Sequence, residues 1–366
     1  MTKAELQRQF YRPICTEPEI DRIFDVQNTD DYLLKLRADT AVDHMRLFRV
    51  LRNRCLRNPD NWSLTNSFDQ STFSNYVARL PQQEKAMCSG VTAGFVFSND
   101  PNGACERTQY GDIITVSNSL EYFLFYMNTA YLDFGVDVPG HVRLAAQRIA
   151  IRTMLKTEAL DFDMDARGII PPELEFQNTA LVSQQISFIV GHEYAHHVHG
   201  HLNKNNLVEQ PLFMALHGEP AEEKTEKFYN NSEQQEFEAD ISSLLLPQTA
   251  ASELKDAAMS AISWFGYLDV FQQVSDQLFP QSPWSIRTHP EPIERLWNIY
   301  DKCSDKAKLN KVEVEEFLKG TAKWKSFFQE DIATNVEQYE LYGSVYLDAP
   351  NTKWRGRELK DRVDYY

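Results

Sequence analysis

Histidines are concentrated in one short stretch of this sequence. Five of the nine lie within ten consecutive residues, and two of them, His192 and His196, begin and end the pentapeptide HEYAH at 192–196. On a helix, side chains four residues apart lie one above the other, so both imidazoles can point at one zinc ion with bonds of about 2.0–2.1 Å. Glu193 projects from the adjacent face, where it can reach an activated water without being a ligand. The pattern predicts a metal site with Glu193 as general base.

A catalytic zinc ion also needs a third protein ligand and an open fourth position. A metzincin would place glycine and a third histidine seven and ten residues after His192, but His199 and Leu202 occupy those positions. The segment EFEAD at 236–240 instead carries two carboxylates four residues apart, on one helix face. We expect Glu236 to ligate zinc. We expect Asp240 to accept the Nδ1 proton of a ligand histidine, His192, which fixes the tautomer of that imidazole.

The polar residues around the two motifs have weaker assignments. On a continuous helix, His197 and His201 point away from the two ligands, which favours polar packing for both. His199 shares the ligand face one turn further on, so we expect it to hydrogen bond behind the ligands. Glu238 faces away from the zinc if Glu236 faces it, which predicts a solvated or helix-pairing carboxylate.

A helix carrying HEYAH, followed by a helix carrying EFEAD, resembles the gluzincin peptidases of the HtpX and CAAX-prenyl-protease type. The resemblance covers roughly residues 90–303. Three further features are similar to that family: a histidine nine residues after the first ligand, an edge strand ahead of a helix, and a downstream His-Pro followed by Arg. In this sequence they are His201, the stretch 111–116, and His289-Pro290 with Arg295.

The resemblance implies two further roles. His289 would contact the substrate carbonyl or oxyanion, and Arg295 would pair with a site carboxylate such as Asp240. Members of this type often have transmembrane helices, whereas this sequence has no run of about 18 uncharged apolar residues, so their membrane substrates are not carried over. The motif, with a second histidine directly after His196, is also similar to the phage-exclusion peptidases of the Lit type.

Apolar patterns around the motifs predict the elements that position them. Helical spacing from 173 to about 202 indicates that the HEYAH helix is packed into a core. Strand signals at 91–97 and 113–116, separated by turn residues, predict a small antiparallel sheet. Most of the remaining sequence has helical patterns, including one long helix from Thr29 to Asn58. We therefore expect a helix-dominated α+β fold of the zincin-like type.

Three regions follow from these patterns. They are a helical amino-terminal region at 1–88, a zincin-like catalytic domain at 89–305, and a carboxyl-terminal helical extension at 306–366. Within the catalytic domain, the segment 203–231 is polar and contains proline and glycine, which predicts an exposed insertion.

The composition narrows the classes of partner and compartment. With 37 Lys and Arg against 53 Asp and Glu, the formal net charge is −16, and such a surface repels nucleic acid and anionic lipid. One arginine-rich helical stretch at 37–57 is interpreted as a solvated basic face, or else as a docking site for an acidic partner. Five scattered cysteines indicate a reducing compartment, and no apolar leader or spanning segment is found. We expect a cytoplasmic protein without a membrane span.

The function expected from the sequence is a zinc metalloendopeptidase that acts on a protein or peptide substrate. Zinc and His289 would stabilise the oxyanion, and Glu193 would move the proton. Two alternatives stay open. One is a zinc-containing interaction module without proteolysis, against which the intact Glu193 argues, and the other is a defence or toxin protease confined to one host target.

Overall fold

The computed structural model describes residues 3–202, 207–211, 225–229, 233–280 and 290–347. The helices, in chain order, are α1 (Lys3–Tyr11), α2 (Glu17–Phe24), α3 (Thr29–Val42), α4 (Met45–Arg57), α5 (Ser71–Ala78), α6 (Gln82–Cys88), α7 (Ser119–Tyr131), α8 (Gly140–Met154), α9 (Pro172–Val198), α10 (Glu233–Leu245), α11 (Ala251–Leu278), α12 (Pro292–Ala307), α13 (Lys311–Asn335) and α14 (Glu337–Glu340). The strands are β1 (Thr92–Val96), β2 (Gly103–Thr108), β3 (Gly111–Ser117), β4 (Leu207–Pro211) and β5 (Thr225–Tyr229). The expectation of a helix-dominated α+β fold is confirmed.

The three-stranded sheet differs from the predicted one. Its order is β1-β3-β2, and β1 runs parallel to β3 while β2 runs antiparallel to it. The prediction of an antiparallel sheet from 91–97 and 113–116 was therefore wrong for that pair. The sequence GACERT of β2 lacks the alternation of apolar residues that marks a strand, so the intervening strand was not recognised. The stretch 111–116 lies in the central strand β3, and not in the expected edge strand.

The predicted helix from Thr29 to Asn58 is two helices. The chain leaves helical geometry at His44, where φ is −130° and ψ is 102°. The positions of the buried apolar residues explain the break. Leu34, Ala38 and Ala41 would continue in phase to positions 45 and 48, but the buried apolar residues of α4 are Leu47, Val50 and Leu51. Two helices in different orientations bury both stripes, which one straight helix cannot do.

Two arginines of the basic stretch point inward. Arg37 is buried and donates to the carbonyl oxygens of Phe95 and Thr65, at 2.8 and 3.1 Å. Arg46 is buried in an ion pair with Asp161. The interpretation of the whole stretch as a solvated basic face was therefore wrong for these two, because their carbonyl and carboxylate partners lie inside the fold.

Helix α9 passes through the main core and carries the HEYAH motif. It begins with proline at its first position, where the missing N–H costs no hydrogen bond, and it packs against α5, α7, α10, α11 and β2. It ends at Val198, earlier than predicted, because Gly200 has φ of +66°, a left-handed conformation that ends helices and that glycine adopts without strain. The chain therefore turns back directly after the motif.

One hydrophobic cluster extends from Ile14 to Leu347 and includes residues of all three regions predicted from the sequence. The boundaries of these regions stay a prediction. In the segment predicted as an exposed insertion, β4 and β5 form an antiparallel pair. The exposure of its side chains lies outside what the structure describes. Among the described residues, no helix is both long enough and apolar enough to cross a membrane.

Candidate metal centre

The three predicted ligands converge between α9 and α10. The Nε2 atoms of His192 and His196 lie 3.0 Å apart. The carboxylate of Glu236 completes the triangle, with Oε2 at 3.5 Å from His192 Nε2 and Oε1 at 3.5 Å from His196 Nε2. All three residues are buried, and they form a group that could hold a metal ion. The i, i+4 spacing on α9 brings the imidazoles together, and the packing of α10 on α9 supplies the carboxylate.

The spacing of these atoms fits a tetrahedral metal ion. Ligand bonds of about 2.0–2.1 Å at tetrahedral angles separate neighbouring ligand atoms by about 3.3–3.4 Å. The two imidazole nitrogens lie 3.0 Å apart, and each lies 3.5 Å from a different oxygen of the Glu236 carboxylate, so the three groups are spaced close to that value. Two imidazole nitrogens and one carboxylate oxygen form a donor set used for catalytic zinc, with a fourth position left open. The group is therefore able to hold a metal ion.

Asp240 and Arg295 support the first ligand from behind. Asp240 Oδ1 lies 2.9 Å from His192 Nδ1, and Arg295 binds both oxygens of Asp240, through Nε at 2.8 Å and Nη2 at 2.6 Å. Arg295 Nη1 also lies 3.2 Å from Glu236 Oε2. Burial acts to lower the pKa of His192, but hydrogen bonds to Asp240 and Glu236 outweigh it and raise that pKa to about 10. Both predicted supporting residues lie where they can orient His192.

A different pair supports the second ligand. His196 Nδ1 lies 2.9 Å from His201 Nδ1, and His201 Nε2 lies 3.2 Å from Glu238 Oε2. The expectation that His201 points away from the ligands was wrong, because it assumed a continuous helix where the chain turns at Gly200. Glu238 is half-exposed, and it pairs with His201 across the site instead of facing solvent alone.

The other two histidines of the stretch make polar contacts away from the ligand atoms. His199 Nε2 lies 2.7 Å from Ser242 Oγ on α10, and its ring stacks on that of His201. His197 Nδ1 lies 3.0 Å from Asp112 Oδ2, and Arg107 binds the same carboxylate at 2.6 and 2.9 Å. The polar packing predicted for His197 is thus observed, and it ties α9 to β2 and β3.

Glu193 is buried beside the triad but does not belong to it. A Cβ atom added to Gly103, the first residue of β2, would lie 3.0 Å from Glu193 Oε1. The carboxylate therefore lies against the start of β2, the strand that the sequence did not predict. Cys105 of the same strand is close enough that burial, together with the charge of Glu193, raises the pKa of its thiol.

Some site residues were missed and one cannot be placed. Gly103 was not recognised, and His201 was expected to pack away from the ligands, although a glycine one residue before it is a helix-stop signal that predicts the turn. His289, expected to contact the substrate oxyanion, lies outside the described residues.

Comparisons of this chain with family models, with curated proteins and with solved structures gave no match.

Proposed function

We propose that this protein is a zinc-dependent peptidase in which Glu193 is the general base. The observation that carries the proposal is that two buried carboxylates occupy different positions relative to the metal site. Glu236 joins His192 and His196 in the ligand triangle, whereas Glu193 lies outside it, against the first residue of β2. A hydrolytic metal site needs this combination of three protein ligands, an open fourth position and a separate base beside the substrate.

The chain's own residues have defined tasks in this chemistry. Zinc bound by the triad would polarise the scissile carbonyl and make a water nucleophilic near neutral pH. Glu193 takes the proton of the attacking water and delivers it to the leaving amine. Because water and not a side chain attacks the carbonyl, no acyl-enzyme forms. Asp240 and Arg295 hold His192 in the tautomer that directs Nε2 to the ion.

The proposed substrate is an extended peptide that pairs with β2. The strand β3 cannot take this role, because β1 and β2 pair with it on its two sides. Within the described residues, β2 pairs with β3 alone, so its outer edge offers backbone N–H and C=O groups beside Glu193. Pairing through the main chain gives affinity with little sequence selectivity. Five free cysteines are consistent with activity in a reducing compartment, the cytoplasm.

Metal analysis of the purified protein tests the ligand set. The wild type should carry one zinc ion per chain, and Glu236→Ala should lose it, because two histidines alone leave the ion without its third ligand. Glu233→Ala, an exposed carboxylate at the start of the same helix, is the matched control and should retain zinc. Undiminished zinc in Glu236→Ala would contradict the ligand set.

A further inference from the structure

The two histidine ligands are supported in different ways. The Nδ1 atom of His192 contacts a carboxylate, Asp240, which Arg295 holds with two hydrogen bonds. Behind His196 stands another histidine, His201, and only then a carboxylate, Glu238. The second arrangement is a chain of three side chains that leads from the buried ligand to the protein surface.

The direction of the hydrogen bonds in this chain follows from the site. His196 directs Nε2 towards the other two ligands, so a bound cation leaves the proton of its neutral ring on Nδ1. That N–H donates to His201 Nδ1 at 2.9 Å, and His201 then carries its own proton on Nε2, which donates to Glu238 Oε2 at 3.2 Å. Each of these ring nitrogens is thus either a donor or an acceptor, and the Glu238 carboxylate is the final acceptor of the chain.

The local fold fixes His201 in this position. Its backbone N–H donates to the carbonyl oxygen of His196 at 2.9 Å, a bond that the turn at Gly200 makes possible. The ring of His199 stacks on it with centroids 5.5 Å apart and is itself bonded to Ser242. His201 is only 5% exposed. Such a buried and fully contacted ring loses little freedom when the metal binds.

We propose that His201 is a positioning residue of the metal centre, which sets metal affinity by holding His196 in its ligating tautomer and orientation, with Glu238 supporting His201. This inference rests on the metal site of the proposed function but not on peptide hydrolysis. Removing a partner behind a metal-binding histidine weakens metal binding by about 10- to 100-fold.

The experiment measures zinc dissociation constants by competition with a chromophoric chelator. His201→Ala should bind zinc about 10- to 100-fold more weakly than the wild type. Glu238→Ala should show a smaller loss of the same sign. His197→Ala removes a histidine that is also adjacent to a ligand but bonded to Asp112, and it should bind zinc as tightly as the wild type.

Two further measurements separate positioning from a folding defect. His201→Asn keeps an acceptor oxygen near the Nδ1 position, so it should recover most of the affinity that His201→Ala loses. The visible absorption of the Co²⁺-substituted protein should change in His201→Ala and stay unchanged in His197→Ala. Wild-type zinc affinity in His201→Ala, or no recovery in His201→Asn, would overturn the inference. Wild-type protein that binds zinc but cleaves no peptide would remove the proposed function and leave the role of His201 intact.

Discussion

His192 and Asp240 lie on different helices, and His192 Nδ1 is 2.9 Å from Asp240 Oδ1. Because Nδ1 donates to this carboxylate, Nε2 is left to face Glu236 and His196. Arg295 in turn holds both oxygens of Asp240, so the orientation of one imidazole depends on three elements, α9, α10 and α12.

Asp240→Ala should therefore weaken zinc binding by about 10- to 100-fold, because His192 loses the acceptor that fixes its tautomer. It also leaves Arg295 as a buried cation without its main partner, so the unfolding free energy should fall by about 3–5 kcal/mol. Asp240→Asn keeps an acceptor oxygen, so its zinc affinity and its unfolding free energy should lie between those of Asp240→Ala and the wild type. Chelator competition and urea unfolding measure both effects, and an alanine variant that matches the wild type in zinc affinity would rule out this role.

Gly103→Ala should impair catalysis and leave zinc binding unchanged. The added Cβ would lie 3.0 Å from both Glu193 Oε1 and the Cγ2 of Ile189, so the carboxylate must move. A displacement of about 1 Å can cost about 100-fold, so a shift of a few tenths of an ångström should lower kcat/KM by up to about 10-fold. Gly90→Ala is the control, since a Cβ there meets no atom within 4 Å. Equal rates for the two variants would show that Glu193 does not depend on this contact.

Gly191→Ala should destabilise the protein. A Cβ at this position would lie 2.5 Å from the ring of Tyr76, so α9 and α5 cannot keep their present separation. Overpacking of this kind costs about 1–3 kcal/mol, which outweighs the gain of about 0.5–1 kcal/mol from replacing a helical glycine. Urea unfolding measures the difference. Gly140→Ala, which meets nothing within 4 Å, should not be destabilised.

Part of the stability should be lost in acid through Asp331. Burial acts to raise the pKa of this carboxyl, but hydrogen bonds from Arg148 and Tyr339 outweigh it and hold the pKa below its usual range. A lowered folded-state pKa stabilises the fold above the unfolded value of about 3.9 and loses that contribution as pH falls further. Asp331→Asn should therefore show a weaker dependence of unfolding free energy on pH below about 4. Asp301→Asn, an exposed site on α12, should keep the wild-type slope.

The part of the site that was predictable from the sequence lies within regular helices. The i, i+4 rule places His192 over His196, and Glu236 and Asp240 share a face for the same reason. A pattern within one helix survives folding because its geometry is local.

The features that were missed depend on where the chain turns and which strands pair. His201 returns to His196 only because Gly200 ends the helix, and a continuous helix would carry it away. Strand β2, which pairs with β3 on the side opposite β1, has no alternation of apolar residues. Sheet order and strand direction therefore could not be predicted from periodicity. Arg37 can be buried because it donates hydrogen bonds to carbonyl groups that are distant in sequence, and no local sequence pattern predicts those contacts.

The central claim is that Glu193 moves the proton in peptide hydrolysis while three other residues hold the metal. The most direct test incubates cellular proteins with zinc-loaded wild type or with zinc-loaded Glu193→Gln, and identifies new amino termini by mass spectrometry. The wild type should generate new termini, and Glu193→Gln should generate none while retaining equal zinc. Equal sets of new termini from both proteins, or none from the zinc-loaded wild type, would contradict the claim.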